Sequence, residues 1–229
     1  LVGVREQHGA WVSQFIADKT NFSSFSNVDL HVYEAGIPDT NHIDDVTAWQ
    51  AIQSACDHGQ KIINASVGTN KSWDREHKYF IQLSENINKL ALNGCLLVHA
   101  AGNVVVRRKI FIESYHAIDK LYLTVGATRQ SGGATSFSDA ANLYAPGENL
   151  GVVVTQPGPW DGCEPSNMKL VSGTSFSASI TSSVAANVYE ILNSSVRLQQ
   201  LPSVRQVKLE VRILTSFGKN LDGFGWISI

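Results

Sequence analysis

Residues 61–101, KIINASVGTNKSWDREHKYFIQLSENINKLALNGCLLVHAA, decide how this chain folds. Two apolar runs, Lys61–Val67 (KIINASV) and Cys95–Ala101 (CLLVHAA), bracket a helical stretch from Phe80 to Leu92. A strand buried on both faces reads as a nearly continuous apolar run, because neither face meets water. Both runs are too short for a helix of ordinary length. Asn93-Gly94 closes the intervening helix, since glycine accepts the left-handed conformation that ends helices. Working outward, Leu121–Ala127 is a further buried strand, and Asp44–Asp57 is a helix with Val46, Trp49, Ile52, Ala55 and Cys56 at helical spacing. Asp44 or Asp45 caps it. Val28–Ala35 (VDLHVYEA) alternates like a strand, and Ile37–Ile43 is a polar turn around Pro38. His8–Ala17 is a helix with Trp11, Val12, Phe15 and Ile16 on one face. A long small-residue helix follows at Phe176–Leu192, and Ser131–Gly133 and Gln156–Asn167 are loops. Alternating strands and helices predict an α/β fold of three layers, with a mostly parallel sheet covered on both faces.

A chain of 229 residues fits one large domain, 1–229, and can bury a substantial core. Its formal net charge of −2 offers no basic surface for nucleic acid or an anionic membrane. No apolar run is long enough to span a bilayer. The first residues, LVGVREQHGA, lack a signal-peptide layout. Sequon-like triplets at Asn21, Asn64, Asn70 and Asn193 are too common by chance to assign a compartment.

Three cysteines, Cys56, Cys95 and Cys163, form an odd and sparse set, which argues against a disulfide framework. Cys56 and Cys95 lie in apolar stretches and read as buried small hydrophobes. No histidine or cysteine follows His31, His42, His58, His77, His99 or His116 at i+3 or i+4. No cofactor or metal is expected.

In a parallel sheet the ligand crevice lies at the carboxyl ends of the strands. Ser66-Val67-Gly68 and Ala101-Gly102-Asn103 end two strands, and Ser172-Gly173-Thr174-Ser175 leads into the long helix. A serine hydroxyl needs a base to become a nucleophile. A helix N-terminus beside it presents free N–H groups to a developing oxyanion. Read alone, Ser175 is a helix cap. Asn103 alone is a turn residue, although its amide could donate to an oxyanion. His8 alone is a surface histidine at a helix start, although imidazole is the usual general base near neutral pH.

Read together, the order, spacing and flanks of these residues resemble the subtilase family of serine proteases. HGAWVSQFIA (His8–Ala17) resembles the family's histidine motif, LLVHAAGN ending at Asn103 its oxyanion-asparagine strand, and GTSFSASITSSVAA from Gly173 its serine motif. INASVG (Ile63–Gly68), LTVGAT (Leu123–Thr128), SFSDAANLYAPG (Ser136–Gly147) and GFGWISI (Gly223–Ile229) resemble further landmarks in the same order. The resemblance implies a subtilisin-like fold and hydrolysis of peptide bonds through an acyl-enzyme. Ser175 would be the nucleophile, His8 the general base and Asn103 an oxyanion donor. Ser66, Val67 and Gly68 would pair with an extended peptide, and Ala100, Ala101 and Gly102 would line the pocket for the residue before the scissile bond.

Two departures stand out. The family's catalytic aspartate precedes the histidine on a first strand, and only seven residues precede His8. The expectation is therefore a domain lacking its N-terminal strand, with the aspartate carried by a docked preceding segment. Glu6 reads as a solvated charge, and Asp18, Asp44 and Asp45 as helix-end residues. Ser179 stands where the family usually has proline, and Ile180 where it often has histidine. The alternative to an endopeptidase is a pseudoprotease scaffold that binds peptides or proteins without cleaving them. An unrelated esterase is disfavoured, because GTSFS lacks the second glycine of a nucleophile elbow. Substrate preference stays open between Arg107, Arg108 and Lys109 on one side and Glu113 on the other.

Overall fold

The structure is a computed structural model that describes residues 4–17, 29–36, 45–67, 77–103, 122–157, 163–194, 202–216 and 225–226. The described helices are α1 (Val4–Ala17), α2 (Asp45–Asp57), α3 (His77–Leu92), α4 (Thr174–Ser194) and α5 (Val204–Ser216). The described strands are β1 (Ile62–Ala65), β2 (Leu96–Ala100), β3 (Tyr122–Thr128), β4 (Leu143–Pro146), β5 (Leu150–Pro157), β6 (Cys163–Val171) and β7 (Gly225–Trp226). Five of them form one sheet in the order β1-β2-β3-β4-β7, parallel throughout.

The apolar runs become strands because both of their faces are covered. Leu96, Val98 and Ala100 of β2 turn to one side and pack with Leu123, Val125, Leu143 and Ala145 against α4 and α5. Leu97 turns to the other side, with Ile63 and Ala65, against Ala55 and Cys56 of α2 and Leu90 of α3. The result is the expected three-layer arrangement. Gly94, at φ 76°, lets the chain leave α3, while the Cys95 N–H returns to the Leu90 carbonyl at 3.0 Å. Ser203 and Gln206 form a reciprocal cap at the start of α5: Gln206 Oε1 accepts the Ser203 N–H, and Ser203 Oγ accepts the Gln206 N–H.

The structure corrects four expectations. Residues 29–35 alternate in sequence but form no strand. A strand needs a ladder partner for its backbone, and among the described residues β1 is paired on its β2 side only. Tyr33 alone of this stretch packs into the α2–β1 cluster, while Val32 stays 80% exposed. Val46 does not join the buried face of α2 and is 65% exposed. Within the expected loop Gln156–Asn167, residues 156–157 and 163–167 are instead strand, belonging to the antiparallel pair β5–β6, whose ladder runs from Leu150↔Val171 to Pro157↔Cys163. A register shift between Val154 and Thr155 accommodates the irregularity there. Finally, Cys56 and Cys95 are buried as expected but are bonded to each other as a disulfide. Their separation of 39 residues gave no sign of it; the fold brings the end of α2 against the start of β2, with Cα atoms 5.9 Å apart. The turn at 37–43 lies outside the described residues.

Candidate active site

Helix α4 organises the site. It starts at Thr174, and its first three turns are almost wholly buried, from Phe176 through Ser183. Small residues permit this. Ser177, Thr181 and Ser182 direct their hydroxyls to backbone carbonyls, which satisfies them without water. Ser175 lies in the first turn and is half-buried.

Asn103 is bound to the start of that helix. Its side-chain oxygen accepts the Thr174 N–H at 2.9 Å and the Thr174 hydroxyl at 3.0 Å. The Thr174 hydroxyl in turn accepts the Gly102 N–H at 3.1 Å. Thr174 thus locks the β2 exit loop to the helix, a role that sequence reading missed. The amide nitrogen of Asn103 is left as the group that can donate to a ligand. Gly102, at φ 110°, has no room for a side chain, because a Cβ there would stand 2.5 Å from Asp139 Oδ2. The Asp139 N–H donates to the Gly102 carbonyl at 3.0 Å, so the stretch SFSDAANLYAPG braces this loop. Its other end braces the serine loop, where the Gly173 N–H meets the Gly147 carbonyl at 2.8 Å.

His8 lies in the second turn of α1, not at the helix start, because α1 begins at Val4. Its ring packs against that of Phe176 with centroids 5.7 Å apart, and Phe15 packs edge-on to Phe176 with centroids 5.5 Å apart. Phe176, the residue after Ser175, therefore seats α1 on the start of α4. The signal for it was an aromatic residue directly following the serine. Burial lowers the His8 pKa from its ordinary value of 6.5, which favours the neutral imidazole. Among the described residues no carboxylate bonds His8, and the Glu6 side chain lies outside them. Ser175 Oγ donates to the Ser66 carbonyl at 3.4 Å.

Ser66 and Val67 follow β1 directly and are half-buried. Ala101 and Gly102 are likewise half-buried, whereas the Ala100 methyl belongs to the core cluster. Gly68 and residues 104–121, with Arg107, Arg108, Lys109 and Glu113, lie outside the described residues.

A parallel sheet whose carboxyl edge brings a serine loop, an asparagine loop and a histidine helix onto one helix N-terminus is the architecture of a subtilisin-like serine protease. The chain belongs to the subtilase family, whose model matches residues 3–218. Among solved structures it is similar to a lanthipeptide protease at 23% identity and a TM-score of 0.71, covering 93% of this chain and 69% of that one. It is also similar to a mutant of the protease domain of PatA, at 21% identity, a TM-score of 0.66, and coverage of 99% and 78%. The MycP3 protease of the type VII (ESX-3) secretion system is similar at 24% identity and a TM-score of 0.62, with coverage of 91% and 66%. At these identities the likeness concerns the fold. No curated protein sequence matches.

Proposed function

We propose that the chain forms a single catalytic domain, 1–229, of a serine endopeptidase. Ser175 attacks the scissile carbonyl, and His8 takes its proton. The amide nitrogen of Asn103 and the Ser175 N–H stabilise the oxyanion. The observation that carries this reading is the pair of hydrogen bonds from the Thr174 N–H and hydroxyl to the Asn103 oxygen, which turns a turn asparagine into a fixed donor beside a serine at a helix N-terminus. Neutral, half-buried His8 suits a base. An extended peptide pairing along Ser66–Gly68, with its preceding side chain near Ala101 and Gly102, is the substrate geometry.

His8 still needs a carboxylate to fix its tautomer and to stabilise the imidazolium, a contribution worth about 10⁴ in rate in the serine proteases that serve as the general example. We assign it to an aspartate on a docked segment preceding His8, seated along the side of β1 that no described strand pairs. The pseudoprotease reading is favoured by one observation, the lack of a described carboxylate on His8. A fluorophosphonate probe separates the two. Labelling of the full-length protein that disappears in Ser175→Ala supports the endopeptidase. No labelling of either supports the scaffold, and equal labelling of both rules out Ser175 as the labelled nucleophile. Intact-mass analysis of the purified protein tests for the docked segment.

A further inference from the structure

The backbone carbonyl of Ser175 collects two side-chain hydroxyls. Ser66 Oγ donates to it at 2.8 Å from just beyond β1, and Ser179 Oγ donates at 2.8 Å from one turn further along α4. The Ser179 bond is the ordinary return of a buried helical serine to the carbonyl four residues back, as Thr181 and Ser182 also make. The Ser66 bond is different, because it crosses from the sheet to the helix. Its hydroxyl is itself oriented: Asn64 Nδ2 donates to Ser66 Oγ at 2.9 Å, and Asn64 Oδ1 lies 3.1 Å from the Ser182 hydroxyl, whose one hydrogen it shares with the Ala178 carbonyl. With the amide hydrogen arriving from Asn64, the Ser66 proton is directed at Ser175. In return the Ser175 hydroxyl donates to the Ser66 carbonyl at 3.4 Å.

We propose that the Ser66 hydroxyl, oriented by Asn64, is a positioning residue for the nucleophile; the proposal rests on Ser175 being that nucleophile. The first turn of a helix lacks the full set of internal bonds that hold its interior. Besides the helical N–H of residue 179, the Ser175 carbonyl receives one hydroxyl from α4 and one from beyond the sheet strand β1. The peptide plane after Ser175 is thereby tied to β1 as well as to α4. That sets the origin from which the Ser175 side chain projects, and reactivity falls steeply when a nucleophile is misplaced by about 1 Å. Proline at position 179 would offer neither a hydroxyl nor an N–H to this oxygen, so in this chain Ser179 completes a two-hydroxyl seat.

The test measures three quantities on the full-length protein: the second-order rate of fluorophosphonate labelling at Ser175, kcat and KM on a peptide substrate, and Tm. Ser66→Ala is expected to slow labelling and to lower kcat by about tenfold, the effect of one lost hydrogen bond, with KM unchanged because the backbone of residue 66 is kept. Ser66→Thr, which keeps the hydroxyl, is expected to restore both rates. Asn64→Leu should slow labelling as well, and Asn64→Leu combined with Ser66→Ala should be no slower than Ser66→Ala alone. If Ser66→Ala does not fold, Ser66→Cys, with its weaker donor, carries the same comparison. Labelling of Ser66→Ala at the wild-type rate, or a fall in Tm with no change in labelling, overturns the positioning role and leaves Ser175 as nucleophile. Wild-type protein that takes no label at Ser175 overturns the nucleophile assignment itself.

Discussion

The side-chain oxygen of Asn103 lies 2.9 Å from the backbone nitrogen of Thr174 and accepts its hydrogen, so the helix that carries Ser175 also holds the asparagine. The same oxygen accepts the Thr174 hydroxyl at 3.0 Å. One half of the amide is therefore structural, and the other half is available for chemistry. This division makes the two halves separable by mutation.

Asn103→Asp keeps the acceptor and removes the donor. Peptide cleavage should fall by about 10²–10³ in kcat with little change in KM, because the oxyanion exists only in the transition state. Asn103→Ala removes both halves and should lower Tm in addition. Steady-state kinetics and thermal melts on the two variants check this. A change confined to KM would assign Asn103 to ground-state binding.

A histidine serves as a base only when neutral, and burial lowers the pKa of His8 from 6.5. Without a carboxylate on the ring, the acid limb of kcat/KM should therefore have its midpoint below 6.5. A pH–rate profile on a neutral peptide reads this directly. A carboxylate docked on the ring would shift the midpoint upward, so a limb at or above 6.5 would mean that such a group outweighs burial.

His99, on β2, has its pKa lowered to about 4 by desolvation, partly offset by a backbone hydrogen bond at Ala100. The unfolded chain takes up this proton below about 6.5, and the folded chain only below about 4. Between those values unfolding binds a proton. The stabilising effect of a neutral His99 is thus complete above 6.5 and is lost as pH falls towards 4. Denaturant unfolding at a series of pH values should show this slope, and His99→Gln should flatten it. An identical slope in the variant would refute the assignment.

The Cys56–Cys95 disulfide joins the end of α2 to the start of β2 across 39 residues. Reduction, or Cys56→Ser with Cys95→Ser, should lower stability by about 2–4 kcal/mol, largely by releasing a constraint on the unfolded chain. Chemical denaturation with and without reductant measures it. Thiol quantitation that finds both sulfurs free in the non-reduced protein would rule the bond out.

Much of this molecule was legible without coordinates. The runs at Lys61–Val67, Cys95–Ala101 and Leu121–Ala127 could only be strands covered on both faces, and they became β1, β2 and β3 within a residue or two at most ends. Asn93-Gly94 marked the end of a helix, and His8, Asn103 and Ser175 stood out by their flanks. These are local properties: the burial period, stop residues and motif order are written in consecutive residues. Tertiary structure alone decided the remainder. It paired Cys56 with Cys95, left 29–35 without a ladder, and made strands of 163–167. It also made Thr174 the anchor of Asn103, Phe176 the seat of α1, and Ser66 the partner of the Ser175 carbonyl. Each of these depends on which distant segment lies alongside, for a hydrogen bond or a strand ladder acts over about 3 Å in space while the residues it joins are dozens apart in sequence.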